Sequence, residues 1–200
     1  FTEWAPTATA IHLVGAFSNW NEDPRYALSR ADSPGVWQLR LPAGALHHGD
    51  LYRLRMHWAG GSGDRIPAYA RRVVQDESTK LFSAQVWQPQ KAYEWRNPTP
   101  IGNRKSAFIY EAHIGMAQEK GRVGSFNDFK NDVLPLVVKD GYDTIQLMAV
   151  LEHPYYGSFG YHVSNYFAVS SRFGTPEEFK ELVDTAHGMG LRVIIDMIHS

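Results

Sequence analysis

Three short stretches of this 200-residue chain place hydrogen-bonding and flat aromatic side chains together. Glu111 and His113 close one apolar run. Glu152 and His153 follow a second, with Tyr155, Tyr156, Phe159, Tyr161 and His162 in the residues just beyond. Asp196 and His199 end a third. Carboxylates and imidazoles bind hydroxyl groups, and an aromatic face supports the apolar C–H side of a sugar ring. The combination points to carbohydrate chemistry. Several of these residues also have a plainer role. Glu152 reads as well as a loop surface charge, His153 before Pro154 as a turn residue, and Tyr155 and Tyr156 as loop packing. Asp196 is harder to explain that way, because an acid at the end of an apolar strand is costly to bury without partners. Metal ligation is not expected: none of the nine histidines has the helical spacing of a zinc pair.

The elements that must position these residues lie after residue 106. Residues 107–113, 144–150 and 191–198 read as strands, largely apolar on both faces. Between them run two helical patterns. The first opens at Ser125, with Asp128 in its first turn, and Pro135 is expected to kink or restart it. The second opens at Thr175-Pro176-Glu177-Glu178, a capping box with proline in the first turn, and Gly190 closes it. Residues between the second strand and Gly174 read as a long loop. Alternating strands and helices imply a parallel sheet covered by helices. The segment after the first strand is no dinucleotide fingerprint, and periodicity does not decide between an open sheet and a closed barrel. In a barrel, active groups gather at the C-terminal ends of the strands, where Glu111, His113, Glu152, Asp196 and His199 fall. A sheet ending after the third strand would expose an apolar edge, so the chain reads as a truncated piece of a longer protein.

Upstream the rhythm has period two. Residues 11–14, 36–41 and 52–58 read as short strands, with turns at 33–35 and 42–44 and a hairpin tip at 60–64. That spacing indicates an immunoglobulin-like β-sandwich over residues 1–96. A polar, proline-bearing linker is expected at 97–106, and the barrel portion at 107–200.

Composition narrows the function classes. Twenty basic and 21 acidic residues nearly cancel, so nucleic acid and membrane surfaces are not expected partners. No apolar run reaches the ~18–20 residues of a membrane helix. Without cysteine there is neither a disulfide framework nor a thiolate metal site, which fits a cytoplasmic setting. Six Trp, ten Tyr and ten Phe form a heavy aromatic load, and their positions decide whether they fill cores or stack on sugars.

Several motifs in a fixed order resemble one family. Residues 110–116 (Tyr-Glu-Ala-His-Ile-Gly-Met) resemble the first barrel strand of glucan branching enzymes in the α-amylase family. Residues 146–156, including Glu152-His153-Pro154-Tyr155-Tyr156, resemble their second strand and loop. Ser158-Phe-Gly-Tyr-His162 and Ser171-Arg-Phe-Gly-Thr-Pro176 resemble the approach to the third strand, and residues 196–200 resemble the first conserved region. Upstream, residues 3–6 and 15–21 resemble the starch- and glycogen-binding module that precedes such barrels.

The resemblance implies a retaining transfer. An α-1,4 linkage of an α-glucan is cleaved and the oligosaccharide passes to a sugar 6-hydroxyl, forming an α-1,6 branch. The nucleophile and the acid/base would lie beyond residue 200, and no cofactor is implied. By the same resemblance, Tyr161 stacks on the sugar to be cleaved, and Asp196 binds that sugar's hydroxyls or holds an arginine. His162 and Glu152 are expected to bind the substrate beside them. Trp4, Pro6 and Trp20 line an oligosaccharide groove that the turn at 33–35 borders, while Trp37, on an alternating strand, is expected in the core. The alternatives are an α-glucan hydrolase or debranching enzyme, or a non-catalytic glycogen-binding fragment. Oligomeric state is not legible.

Overall fold

The computed structural model describes residues 1–100 and 106–199. The chain divides into two compact units, Phe1–Gln90 and Lys91–Ser200.

The first unit is built from two antiparallel sheets. Its strands are β1 (Thr2–Trp4), β2 (Ala10–Gly15), β3 (Ser29–Arg30), β4 (Val36–Gln38), β5 (Leu51–Trp58), β6 (Gly61–Arg65), β7 (Val73–Gln75) and β8 (Phe82–Gln85). One sheet has the order β1-β4-β3. The other has the order β2-β5-β8-β7, with β6 also pairing with β5. Period-two patterning sets the faces. On β5, Tyr52, Leu54 and Met56 are buried, while Arg53, Arg55 and His57 are half-buried on the other face. Ile11, Leu13, Val73, Ala84 and Trp37 complete the core. Trp37 takes the expected core position, and its indole N–H donates to the Ala5 carbonyl at 3.0 Å. The glycine-rich stretch expected as a hairpin tip is instead strand β6. Its glycines leave room for the ring of Trp58, which lies 3.3 Å from where a Cβ on Gly63 would stand.

The second unit carries a parallel sheet with β9 (Ile109–Ala112), β10 (Thr144–Leu147) and β13 (Arg192–Ile195) side by side in chain order. Its first helical segment is composite. α1 (Phe126–Asp128) passes through a π-turn at Phe129–Val133 into α2 (Leu134–Lys139), with Pro135 in the first turn of α2. Proline there removes one backbone donor where none is needed, so the helix restarts rather than breaks. α3 (Pro176–Gly188) starts at the Thr175/Glu178 capping box. Phe126, Phe129, Leu134, Val137, Leu182 and Ala186 cover one face of the sheet.

The structure corrects two expectations. The stretch read as an unstructured loop holds an antiparallel pair, β11 (Leu151–Glu152) and β12 (Asn165–Val169). The end of the expected sandwich and the start of the expected linker belong to the second unit. Asp184 of α3 is fully buried, and its carboxylate accepts from the Tyr93 hydroxyl (2.8 Å), the Arg96 N–H (3.1 Å) and the Asn97 N–H (2.6 Å). Three donors converging on one buried acid hold Tyr93–Asn97 against the helix, so those residues do not act as a tether. The part of the expected linker at 101–105 lies outside the described residues.

Candidate functional site

Polar side chains collect at the C-terminal ends of the parallel strands. Asp196 directly follows β13, and its N–H donates to the Leu147 carbonyl at 3.1 Å, which extends the ladder by one rung. Its carboxylate accepts from Gln146 Nε2 at 2.8 Å and from the Tyr161 hydroxyl at 3.2 Å. Gln146 Nε2 also lies 3.4 Å from Glu111 Oε1. Gln146 stands opposite Glu111 on β9 and Ile194 on β13, so pairing in register brings the cluster together. Burial and the adjacent Asp196 carboxylate push the Tyr161 phenol above its ordinary pKa, and the charge of Glu111 adds to the rise. The phenol therefore stays protonated and donates.

Tyr161 is aimed by a strained turn. Phe159 and Gly160 both have left-handed backbones, at φ 54° and 88°. A Cβ on Gly160 would stand 1.9 Å from the Ala149 carbonyl oxygen, so only glycine lets the loop pass there. His162 is exposed, and its backbone N–H lies 3.4 Å from Ser158 Oγ.

Glu152 is a correction. Its side chain is fully buried and faces the loop interior. It accepts from the backbone N–H groups of His153 (3.1 Å) and Ser171 (2.8 Å) and from Ser170 Oγ (3.1 Å), and Arg172 lies 3.7 Å away. A carboxylate so fully engaged braces the β11–β12 hairpin and has no oxygen free for a sugar.

His113 and His153 are buried too, and both are held below the usual histidine pKa. For His113 the cause is burial followed by the field of His153. For His153 it is burial, which outweighs the raising effect of its bond to Leu151. Hydrogen bonding fixes their tautomers. The Gly115 N–H donates to His113 Nδ1 at 3.1 Å, so the proton sits on Nε2. His153 Nδ1 lies 2.9 Å from the Leu151 carbonyl, which can only accept, so Nδ1 carries the proton.

In the first unit, Trp4 and Pro6 line a groove of about 550 Å³ together with Trp58, Met56, His57, Asp64 and Arg65. β1 alternates so that Glu3 is buried, taking Arg65 and the Ala68 N–H (3.0 Å), while Trp4 turns outward at 63% exposure. Gly35 borders the groove: a Cβ on it would meet Pro6 Cβ at 2.9 Å and Trp4 Nε1 at 3.1 Å. Trp20 does not line this groove, which corrects the expected trio. Asn19 and Trp20 have consecutive left-handed backbones (φ 50° and 57°), and the Trp20 ring rests against the Arg53 guanidinium, 5.2 Å from the ring centre. Sequence reasoning missed two contributors. Trp58 ends a strand that reads as ordinary alternation. Gln146 is legible only as a lone amide inside an apolar strand.

Comparison with known proteins bears on both sites. Residues 1–70 match carbohydrate-binding module 48 (isoamylase N-terminal domain), and residues 132–200 match the α-amylase catalytic domain. The whole chain aligns with 1,4-alpha-glucan-branching enzymes, at 44% identity with those of Rhizophagus irregularis and Dictyostelium discoideum and 42% with that of Yarrowia lipolytica. It spans about 30% of the length of each of these relatives. Among solved structures, 98% of the chain superposes on 31% of the pullulanase SAP of group B Streptococcus (TM-score 0.78, 21% identity). The same share superposes on 35% of the catalytic module of the glycogen-degrading pneumococcal virulence factor SpuA (TM-score 0.72, 19% identity). These two likenesses carry the fold alone. The chain is thus similar to carbohydrate-binding module 48 over its first part and to the start of an α-amylase catalytic domain over its last, and its full length is similar to the first part of 1,4-alpha-glucan-branching enzymes.

Proposed function

We propose that these 200 residues serve a glucan-branching enzyme, which cleaves α-1,4 linkages and rejoins the freed oligosaccharide through an α-1,6 bond. The relatives named above support that reading. The observation that carries it is the convergence of the Tyr161 phenol, the Asp196 carboxylate and the Gln146 amide at one mouth of the sheet. A phenol ring beside a carboxylate offers a glucose unit a stacking face and an acceptor for its hydroxyls. Asp196 is already engaged by Gln146 and Tyr161, which suits an orienting role better than attack on the anomeric carbon. In this reading, the nucleophile and the acid/base belong to barrel strands outside these residues. Trp4 and Pro6 hold an α-glucan chain on the first unit, and the absence of cysteine accords with a cytoplasmic setting.

Amylose is the substrate for the test. A longer polypeptide that includes these residues is expected to lower the iodine absorbance of amylose without releasing reducing ends. The 200-residue chain is expected to leave both unchanged. Release of reducing sugar without new α-1,6 linkages would point to a hydrolase instead. Branching by residues 1–200 alone would overturn the placement of the catalytic carboxylates.

A further inference from the structure

Two histidines and a glutamate meet on the outer face of the first unit. His12 on β2 stands directly opposite Arg55 on β5, so it is the diagonal neighbour of His57. The two imidazole centres lie 6.2 Å apart, with their planes at 84°. Glu22, in the segment after β2, reaches both rings. One carboxylate oxygen lies 2.7 Å from His57 Nε2, and the other lies 3.7 Å from His12 Nδ1. The three donor atoms fall within 4.8 Å of one another. His12 Nδ1 is buried and has no hydrogen-bond partner among the described residues.

We propose that His12, His57 and Glu22 form a binding site for a divalent transition metal of the Zn²⁺ type. Zn–N and Zn–O bonds of about 2.0–2.2 Å set tetrahedral donors roughly 3.3 Å apart. The 2.7 and 3.7 Å separations, one to each carboxylate oxygen, bracket that spacing, and side-chain rotation would have to draw a donor set that spans up to 4.8 Å down to it. Two imidazoles and one carboxylate select Zn²⁺, Ni²⁺ or Cu²⁺ over Mg²⁺ and Ca²⁺, which prefer all-oxygen sites. Three protein ligands leave a fourth position for water. The nearest competing cation is Arg55. It is turned aside and neutralised by Asp64, with contacts of 2.7 and 3.1 Å. A bound ion would tie the segment after β2, which carries the strained Asn19-Trp20 pair, to two strands of the sheet.

Titration calorimetry of the metal-free 200-residue chain with ZnCl₂ tests the site. One ion per chain is expected, with a rise in melting temperature on addition and no response to Mg²⁺. His12→Gln, His57→Gln and Glu22→Gln should each weaken uptake by at least about tenfold. Substituting the exposed pair His47 and His48 should leave it unchanged. Glu22 lies at the surface, so Glu22→Gln remains informative if a histidine variant fails to fold by circular dichroism. Absence of saturable uptake, or equal affinity in the three variants and the parent chain, would overturn the proposal.

Discussion

Single residues carry most of the chemistry, and their environments separate functional groups from structural ones. Asp196 and Tyr161 are half-buried, whereas Glu152, His113 and His153 are enclosed. The enclosed histidines have a consequence in solution. Their folded pKa values lie below the unfolded value, so below about pH 6.5 the unfolded chain binds more protons than the folded one. Stability is therefore expected to fall as pH drops from 7 toward 5. Over that range the depressed carboxylates Asp128 and Asp143 stay ionised, and their contribution is lost only at lower pH. Urea titrations at pH 7.5, 6 and 5 should show the decline, and the double variant His113→Asn/His153→Gln should flatten it. An unchanged slope in that variant would mean other groups are responsible.

At the scale of elements, geometry rests on a few positions that tolerate no substitution. Gly160→Ala forces a Cβ onto the Ala149 carbonyl and adds about 1–2 kcal/mol of left-handed strain. Such a variant is expected to melt lower and to lose the Tyr161–Asp196 hydrogen bond, visible as a normal tyrosine titration. Asp184→Ala would leave the donors of Tyr93, Arg96 and Asn97 facing a buried gap. A loss of about 1–3 kcal/mol in chemical denaturation is expected, from the Tyr93 hydroxyl and the Asn97 N–H left without an acceptor. The legible parts of the sequence are those with local causes. Ser125/Asp128 and Thr175/Glu178 announce helix starts because both halves of each cap lie within four residues. The β11–β12 pair was hidden because its two-residue strand has no period, and its support, Glu152, looks like any loop acid. Asp184 was hidden because its partners lie 87–91 residues upstream. The three groups of the His12–Glu22–His57 cluster meet only through strand pairing, which helical spacing rules do not search.

For the whole molecule, two compact units each bring one candidate surface, an aromatic groove on the first and a polar rim on the second, and the proposed function has both of them meet sugar. No helix among the described residues is long and apolar enough to cross a membrane. A change of period near residue 107 is legible in the sequence; the compact units meet at residues 90 and 91, and the hold of Asp184 on Tyr93–Asn97, which ties that stretch to the second unit, is not. Glucan recognition by the first unit is the claim most open to direct measurement. Titrating the 200-residue chain with maltoheptaose, followed by tryptophan fluorescence, should give saturable binding. Trp4→Ala should weaken it by at least about tenfold, the loss expected from uncovering one stacked face, with circular dichroism unchanged. Binding that is absent in the parent chain, or equally strong in Trp4→Ala, would contradict the account.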